Sequence, residues 1–418
     1  MTLITIFIVL IFLHSLFSAR LERTVFTPPI LFTVAGMMTL FILPELRDRK
    51  GNVEIFLRIA EAGLTLLLFT DASRTDLKVL KHIRNLPARL LSVGMLLTLL
   101  LGALAALVVF RQLSLWEAGI LAAILAPTDA GLGQIIVNSP RVPVKIRHAL
   151  NVEAGLNDGL SVPFLLFFIA LAAPNTAGHN ASLLRFILEQ LGYGAIIGAG
   201  IGLVGGWLLG WVGRNNWMAE SSQQFGVVAL PLFCMVASEA AEASMFIAAF
   251  VAGLAVQMEF KEAGKHSVEF TEEWGQLFNL SVFFLFGLLV ARDWQQFNLS
   301  HVLYAVISLT AVRMLPVAIA LTGTRLSRAT ILFMGWFGPR GLASIVLGLV
   351  FLEQGTQQAG APTIRLAVMM TVLLSIFAHG FSALPGINFY AAKVAMLKAD
   401  APENQEIGAK LAARNQIG

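Results

Sequence analysis

Apolar runs long enough to cross a bilayer as helices recur from the first residues almost to Leu384, separated by charges or turn residues. A chain of this kind has few folding options. Lipid offers no hydrogen bonds to the backbone, so only helices or closed barrels span it, and these runs are continuously apolar rather than alternating. The expected fold is therefore an all-α polytopic membrane protein with thirteen spans. The first six are Leu3–Ser18, Phe26–Pro44, Val53–Thr70, Leu90–Phe110, Leu115–Val137 and His148–Ala170. The long Leu184–Val212 comes seventh, followed by Phe225–Ala240, Ala243–Gln257, Trp274–Val290, Val302–Leu321, Ala329–Phe351 and Leu366–Leu384.

Composition supports the same reading. Of 418 residues, 57% are hydrophobic and 13% charged, against about 25% charged in soluble domains, and mean hydropathy is +0.77. One membrane unit over roughly residues 1–390 is expected, then a short polar cytoplasmic tail, 391–418. A net charge of +4 raises nucleic-acid binding as an option, but the basic residues lie in loops on one side. With the amino terminus outside, nineteen Lys and Arg residues fall on the cytoplasmic side and eight outside, with Arg313 and Arg340 inside spans. By the positive-inside rule this gives a multi-pass protein of the cell (inner) membrane with a cytoplasmic carboxyl terminus. The single cysteine, Cys234, provides neither a disulfide framework nor a metal motif. No basic n-region precedes the first run, so it is read as a retained helix.

Ionisable groups inside spans are the functional signal. A charge at mid-bilayer costs about 2.5 to 3.5 kcal/mol on insertion scales, so such residues face cavities or pathways. They concentrate between Ala126 and Pro163, in Ala126-Pro127-Thr128-Asp129 and Asn151-Val152-Glu153-Ala154-Gly155-Leu156-Asn157-Asp158. Span five is interrupted by Pro127, Gly131 and Gly133, and span twelve by Gly335, Gly338, Pro339 and Gly341. These breaks stand seven spans apart, an odd offset that reverses direction through the membrane. This pattern predicts two inverted six-helix repeats, about 1–170 and 225–385, joined by a linker helix at about 184–212.

On a helix, Asn151, Ala154 and Asp158 share one face, while Glu153 and Asn157 share a neighbouring one. Asp158 can then meet Thr128 and Asp129 of the broken helix across a cavity. Glu153 is expected to pair with Arg340, tying the two halves together. Carboxylate, hydroxyl and unwound carbonyl oxygens suit a hard monovalent cation at Asp158 and Asp129, and the lack of a Cys or His cluster argues against zinc or copper. Desolvation favours the protonated form of a carboxyl and a nearby cation the charged form, so one group can hold either. Glu61 faces this cavity, partners Arg58 or serves helix packing. Asp71 and Arg74 read as a helix-end cap and local pair, and Glu239 and Glu242 as an outer vestibule or solvated charges.

Ala126-Pro127-Thr128-Asp129, Glu153 with Asn157-Asp158, Phe250-Val251-Ala252-Gly253-Leu254 and Gly338-Pro339-Arg340-Gly341 stand in this order along nearly the whole chain. Together they resemble the monovalent cation/proton antiporters of the sodium/proton exchanger branch, the NhaP-type proteins. The resemblance implies that Asp158 carries both proton and cation, beside Asp129 and Thr128, with Asn157 tying the broken helix. It also implies a homodimer, a mobile core domain and no cofactor. Asn157-Asp158, where the electrogenic branch has two aspartates, implies electroneutral one-for-one exchange of Na+ or Li+ for H+. Ala154 departs from the serine of some sodium-selective members and leaves K+/H+ exchange as the alternative. An intramembrane aspartyl protease built on Asp129 and Asp158 lacks its Gly-x-Gly-Asp element, since Gly131-Leu132-Gly133 is followed by Gln134. A channel would need a filter segment, and none is evident.

Overall fold

The structure, a computed structural model, describes residues 2–21, 24–46, 52–74, 86–172, 188–259, 266–354, 358–397 and 401–403. Helices lie on every expected span, with residues 184–187 of the seventh outside the described residues. They are α1 (Thr2–Leu21), α2 (Pro28–Ile42), α3 (Asn52–Arg74), α4 (Pro87–Val109), α5 (Leu115–Ile124), α6 (Ala130–Val137), α7 (Val144–Ala172) and α8 (Gly194–Arg214). Then follow α9 (Glu220–Ala240), α10 (Met245–Glu259), α11 (His266–Arg292), α12 (Leu299–Leu309), α13 (Ala311–Ala320), α14 (Arg328–Trp336), α15 (Leu342–Gln354) and α16 (Ala361–Val394). Among the described residues, eight helices are long and apolar enough to cross a membrane. Basic residues of the expected loops and tail such as Lys78, Lys81, Arg84, Lys261, Lys265, Lys410 and Arg414 lie outside the described residues.

Caps and turn residues explain the boundaries. Ser114 and Glu117 form a capping box at the start of α5, Ser327 caps α14, and the Asn298 side chain accepts from Ser300 N and His301 N at α12. Glu242 has φ 52°, and this left-handed residue turns the chain between α9 and α10. The eleventh span departs from the expected single helix. It breaks at Thr310 (φ −107°, ψ −89°), between α12 and α13 and upstream of Pro316, whose ring cannot supply a helical N–H.

Packing uses small residues where helices cross. The glycines of α8 at 194, 198, 202, 206 and 210 form one buried stripe, and α8 lies along α10. A Cβ on Gly202 would stand 2.8 Å from Ala252 Cα, a contact that no larger residue tolerates. The buried core is formed largely by α2, α3, α4, α5, α7, α11, α15 and α16. Apolar side chains such as Ile8, Leu96 and Val108 point outward, and α1 has no buried residue, as suits helices bathed in lipid.

At one end, the segment after α16 returns to the helix ends. Glu403 accepts from Ser327 N (2.7 Å) and Thr330 Oγ1 (2.8 Å), while Lys145 Nζ donates to Pro402 O (3.0 Å). Burial pushes the Glu403 carboxyl up, but these hydrogen bonds outweigh it and hold it below the ordinary carboxylate value. A depressed folded-state pKa gives stability that is present above the unfolded value and lost only as pH falls through the folded one. Docking should therefore be flat from about pH 6 to about pH 8. Glu403→Ala should speed tryptic cleavage after Lys398 severalfold at neutral pH, and an unchanged rate would remove this contact as the anchor.

Candidate functional site

Two helices lose their hydrogen bonds at the same place. The fifth span unwinds between α5 and α6, at Leu125 to Asp129, and the twelfth between α14 and α15, at Phe337 to Gly341. The breaks cross, with Asp129 N donating to Pro339 O at 2.8 Å. Such a crossing brings the amino ends of α6 and α15 together, and their N–H groups need an acceptor. Asp129 supplies it, with Oδ1 accepting from Leu132 N (3.0 Å) and Oδ2 from Leu342 N (2.5 Å). Asp129 therefore caps two helices from opposite ends of the chain.

The carbonyl side of the crossing is closed by cations and a histidine. Arg340 Nη1 donates to Ala126 O (2.7 Å) and Pro127 O (2.9 Å), and its own N–H donates to Ser375 Oγ (2.6 Å). His379 Nε2 lies 2.9 Å from Trp336 O and its Nδ1 2.9 Å from Ser375 O. Its Nδ1 stands 3.1 Å from Ser375 Oγ, linking His379 to the residue that holds Arg340.

Glu153 does not pair with Arg340. Its carboxylate is gripped bidentately by Arg313 of α13, with Nη1 to Oε1 at 2.5 Å and Nη2 to Oε2 at 3.0 Å. Arg340 aims Nη1 at the two carbonyls of the break, whereas Arg313, also buried, brings both Nη groups onto the carboxylate, the bidentate geometry that suits a guanidinium. Both arginines stand inside spans in the sequence, and Arg313 is the functional residue that the sequence reading missed as a partner.

The glycines of Gly338-Pro339-Arg340-Gly341 make room for these charges. A Cβ on Gly338 would stand 2.6 Å from Arg313 Cζ, and one on Gly341 2.6 Å from Asp129 Cγ. Gly341→Ala should displace Asp129 from Leu342 N and lower stability by about 1 to 3 kcal/mol, the usual range for overpacking. Thermal unfolding in detergent measures it, and an unshifted midpoint would contradict this packing.

Asp158 is different in kind. It is 4% exposed, and its Oδ1 is buried with no hydrogen-bond partner among the described residues; Asn157 Oδ1 is in the same condition. Asn157 Nδ2 donates to Thr128 Oγ1 at 2.7 Å, so α7 is tied to the break beside Asp129. Asp158 is within electrostatic range of Asp129, Asp71 and Arg340. Pro163 has no N–H to give the Gly159 carbonyl, which leaves another oxygen one residue from Asp158. The Phe250 ring of the Phe-Val-Ala-Gly-Leu segment packs on Gly159, and Gly253 seats α10 against the Phe69 carbonyl of α3.

Asp158 stands midway along α7 between two cavities. One, of about 20 Å³, is lined by Thr128, Asp129, Leu150, Glu153 and Ala154, which is room for about one water. The other, of about 220 Å³, is lined by Glu61, Val162, Leu166, Ser238 and Glu239 among others. Glu61 thus belongs to the second cavity, with Arg58 Nη1 at 3.4 Å, and does not join Thr128 and Asp129. Gly155 lets the Asp71 side chain pack directly against α7.

The comparisons agree with this architecture. Residues 4–385 match the family described as sodium/hydrogen exchanger, transmembrane. A probable Na(+)/H(+) antiporter of Schizosaccharomyces pombe is 28% identical over 262 residues, which is 57% of this chain and 34% of that protein. The K(+)/H(+) antiporter NhaP of Alkalimonas amylolytica is 25% identical over 345 residues, 80% of this chain and 58% of the relative. The chain thus spans between about a third and three fifths of these curated relatives. The solved sodium proton antiporter MjNhaP1 of Methanocaldococcus jannaschii at pH 8 has the same fold, with TM-score 0.70 and 21% identity, over 91% of this chain and 100% of that one. With its family matched across almost all its length and its fold matched independently, the chain belongs to the transmembrane sodium/hydrogen exchanger family.

Proposed function

We propose that the protein is a secondary antiporter that exchanges Na+ or Li+ for H+ across the cell membrane, one for one and without net charge. The observation that carries this reading is the buried Asp158 carboxyl, which lacks a partner at Oδ1 among the described residues and stands between two cavities beside crossed, unwound helices. Cation and proton compete for that carboxyl. Each neutralises it, and the neutralised site can change sides while the bare carboxylate cannot, since an uncompensated charge in the membrane interior is costly. Thr128, Asn157 and the unwound carbonyls complete an oxygen-rich surround, and Asp129 shapes it from the two helix ends. No cofactor takes part in this scheme.

The inverted repeats, the outside amino terminus, the cytoplasmic carboxyl terminus and the homodimer belong to the same proposal. The opposed breaks, the charge asymmetry of the loops and the family resemblance support them. A second reading, K+/H+ exchange, is favoured by Ala154, which adds no hydroxyl ligand, and by the relative named as a K(+)/H(+) antiporter. The test is fluorescence dequenching in inverted vesicles with Na+, Li+ and K+ in parallel from about pH 6 to about pH 9. Valinomycin with K+ sets the membrane potential. Exchange with Na+ and Li+ that does not respond to the imposed potential supports the main reading. Response to K+ alone transfers it to the second, and no response to any cation removes both.

A further inference from the structure

The second cavity contains a feature that central exchange does not use. Ser238 is fully buried, lines this cavity, and its Oγ has no hydrogen-bond partner among the described residues. Hydroxyls within helices ordinarily bond the carbonyl four residues back, as Thr65 does to Glu61 O and Thr70 to Leu66 O. Ser238 does not, and its residue is part of the cavity wall. Around it stand Glu61, Glu239 and Glu242, with Arg58 as the basic residue lining the cavity. Arg58 reaches Glu61 and Glu239 at 3.4 Å each, and its side chain is 48% exposed. Long contacts from a half-exposed guanidinium are weak and displaceable.

We propose that this cavity is a second cation site, an entrance site, in which Glu61, Glu239 and Ser238 Oγ bind a monovalent cation. Arg58 is a tethered competitor there, resting between the two carboxylates until a cation displaces it. The inference rests on the antiport reading and deepens it. Carboxylate and hydroxyl oxygens suit a hard cation, and the excess of carboxylates over guanidinium concentrates cations at the mouth. A volume of about 220 Å³ has room for several waters. The cation therefore rests there largely hydrated, so the site sets access and not selectivity. Val162, on the cavity wall, lies one helical turn from Asp158.

The test uses Tl+ as an electron-dense monovalent probe on wild-type protein, with anomalous density read at both sites. A peak beside Glu61 and Ser238, separate from one at Asp158, is expected. Glu61→Gln and Ser238→Ala should each weaken the first and spare the second, and Arg58→Gln should strengthen it. In oriented proteoliposomes, Arg58→Gln should lower the apparent KM for cation presented from this side about threefold to tenfold. Ser238→Ala should raise it by a similar factor, with the order of Na+, Li+ and K+ unchanged. A peak at Asp158 with none at Glu61 overturns the entrance site alone. A peak at Glu61 with none at Asp158 overturns the central reading alone, and no peak at either overturns both. A Glu61 peak that survives both Glu61→Gln and Ser238→Ala overturns the assigned ligands, as does a KM that moves equally from both sides.

Discussion

Asp158→Asn should end cation-driven proton movement in inverted vesicles while the protein is recovered folded at wild-type yield. The amide matches the carboxyl in shape, so α7 and the break beside it need not rearrange. It cannot release a proton, and it cannot offer an anionic ligand. Both halves of the exchange are therefore lost together, at every cation concentration and with every cation. Folding should not suffer, because the carboxyl it replaces has a buried oxygen with no partner among the described residues, and removing a latent charge from such a place is neutral or stabilising. A thermal midpoint at or above wild type together with silent vesicles is the expected pair of results. Appreciable residual exchange would remove Asp158 as the carrier.

The second large effect concerns stability. Arg313→Met should leave the Glu153 carboxylate buried without its bidentate partner, a loss of about 3 to 5 kcal/mol. In a membrane protein this reads as lost yield and a lower unfolding temperature. Adding Glu153→Leu to Arg313→Met should recover much of it, since an apolar pair of similar volume avoids the desolvation of both charges. Arg340→Met is expected to behave otherwise. It strips hydrogen bonds from the Ala126 and Pro127 carbonyls, at about 1 to 3 kcal/mol for each buried acceptor left unsatisfied. Glu153→Leu should not rescue it. A double-mutant cycle in which Glu153 couples more strongly to Arg340 than to Arg313 would contradict the geometry.

Helical spans were legible because lipid removes every alternative to a continuous apolar helix, and the two breaks because Gly and Pro mark them. Glu61 was half legible, since Arg58 stands three residues away on the same face. The partner of Glu153 was not legible. Two arginines stand inside spans, a helical wheel gives directions without distances, and the choice turned on Arg340 aiming at carbonyls that exist only because α5 ends where it does. Asp129 hid its role for a similar reason, as capping a helix more than two hundred residues away requires the crossing to exist first. The break at Thr310 left no mark either, because threonine does not interrupt helices and Pro316 lies farther along.

The crossing also sets an electrical boundary condition. Among the buried charged side chains around it, Asp129 and Glu153 carry two negative charges, and Arg313 and Arg340 two positive. In the proposed exchange these balance in number, and the valence of the moving site turns on Asp158, with Asp71 of α3 also in electrostatic range. Loaded with a proton or with a monovalent ion the site is neutral, so a potential of 100 mV, worth about 2.3 kcal/mol per elementary charge, does no work on its passage. A divalent ion would make the same site a net cation and meet the full dielectric barrier. In the proposed exchange, discrimination against calcium and magnesium follows from this balance of charge, before any ligand distance or pore radius is considered.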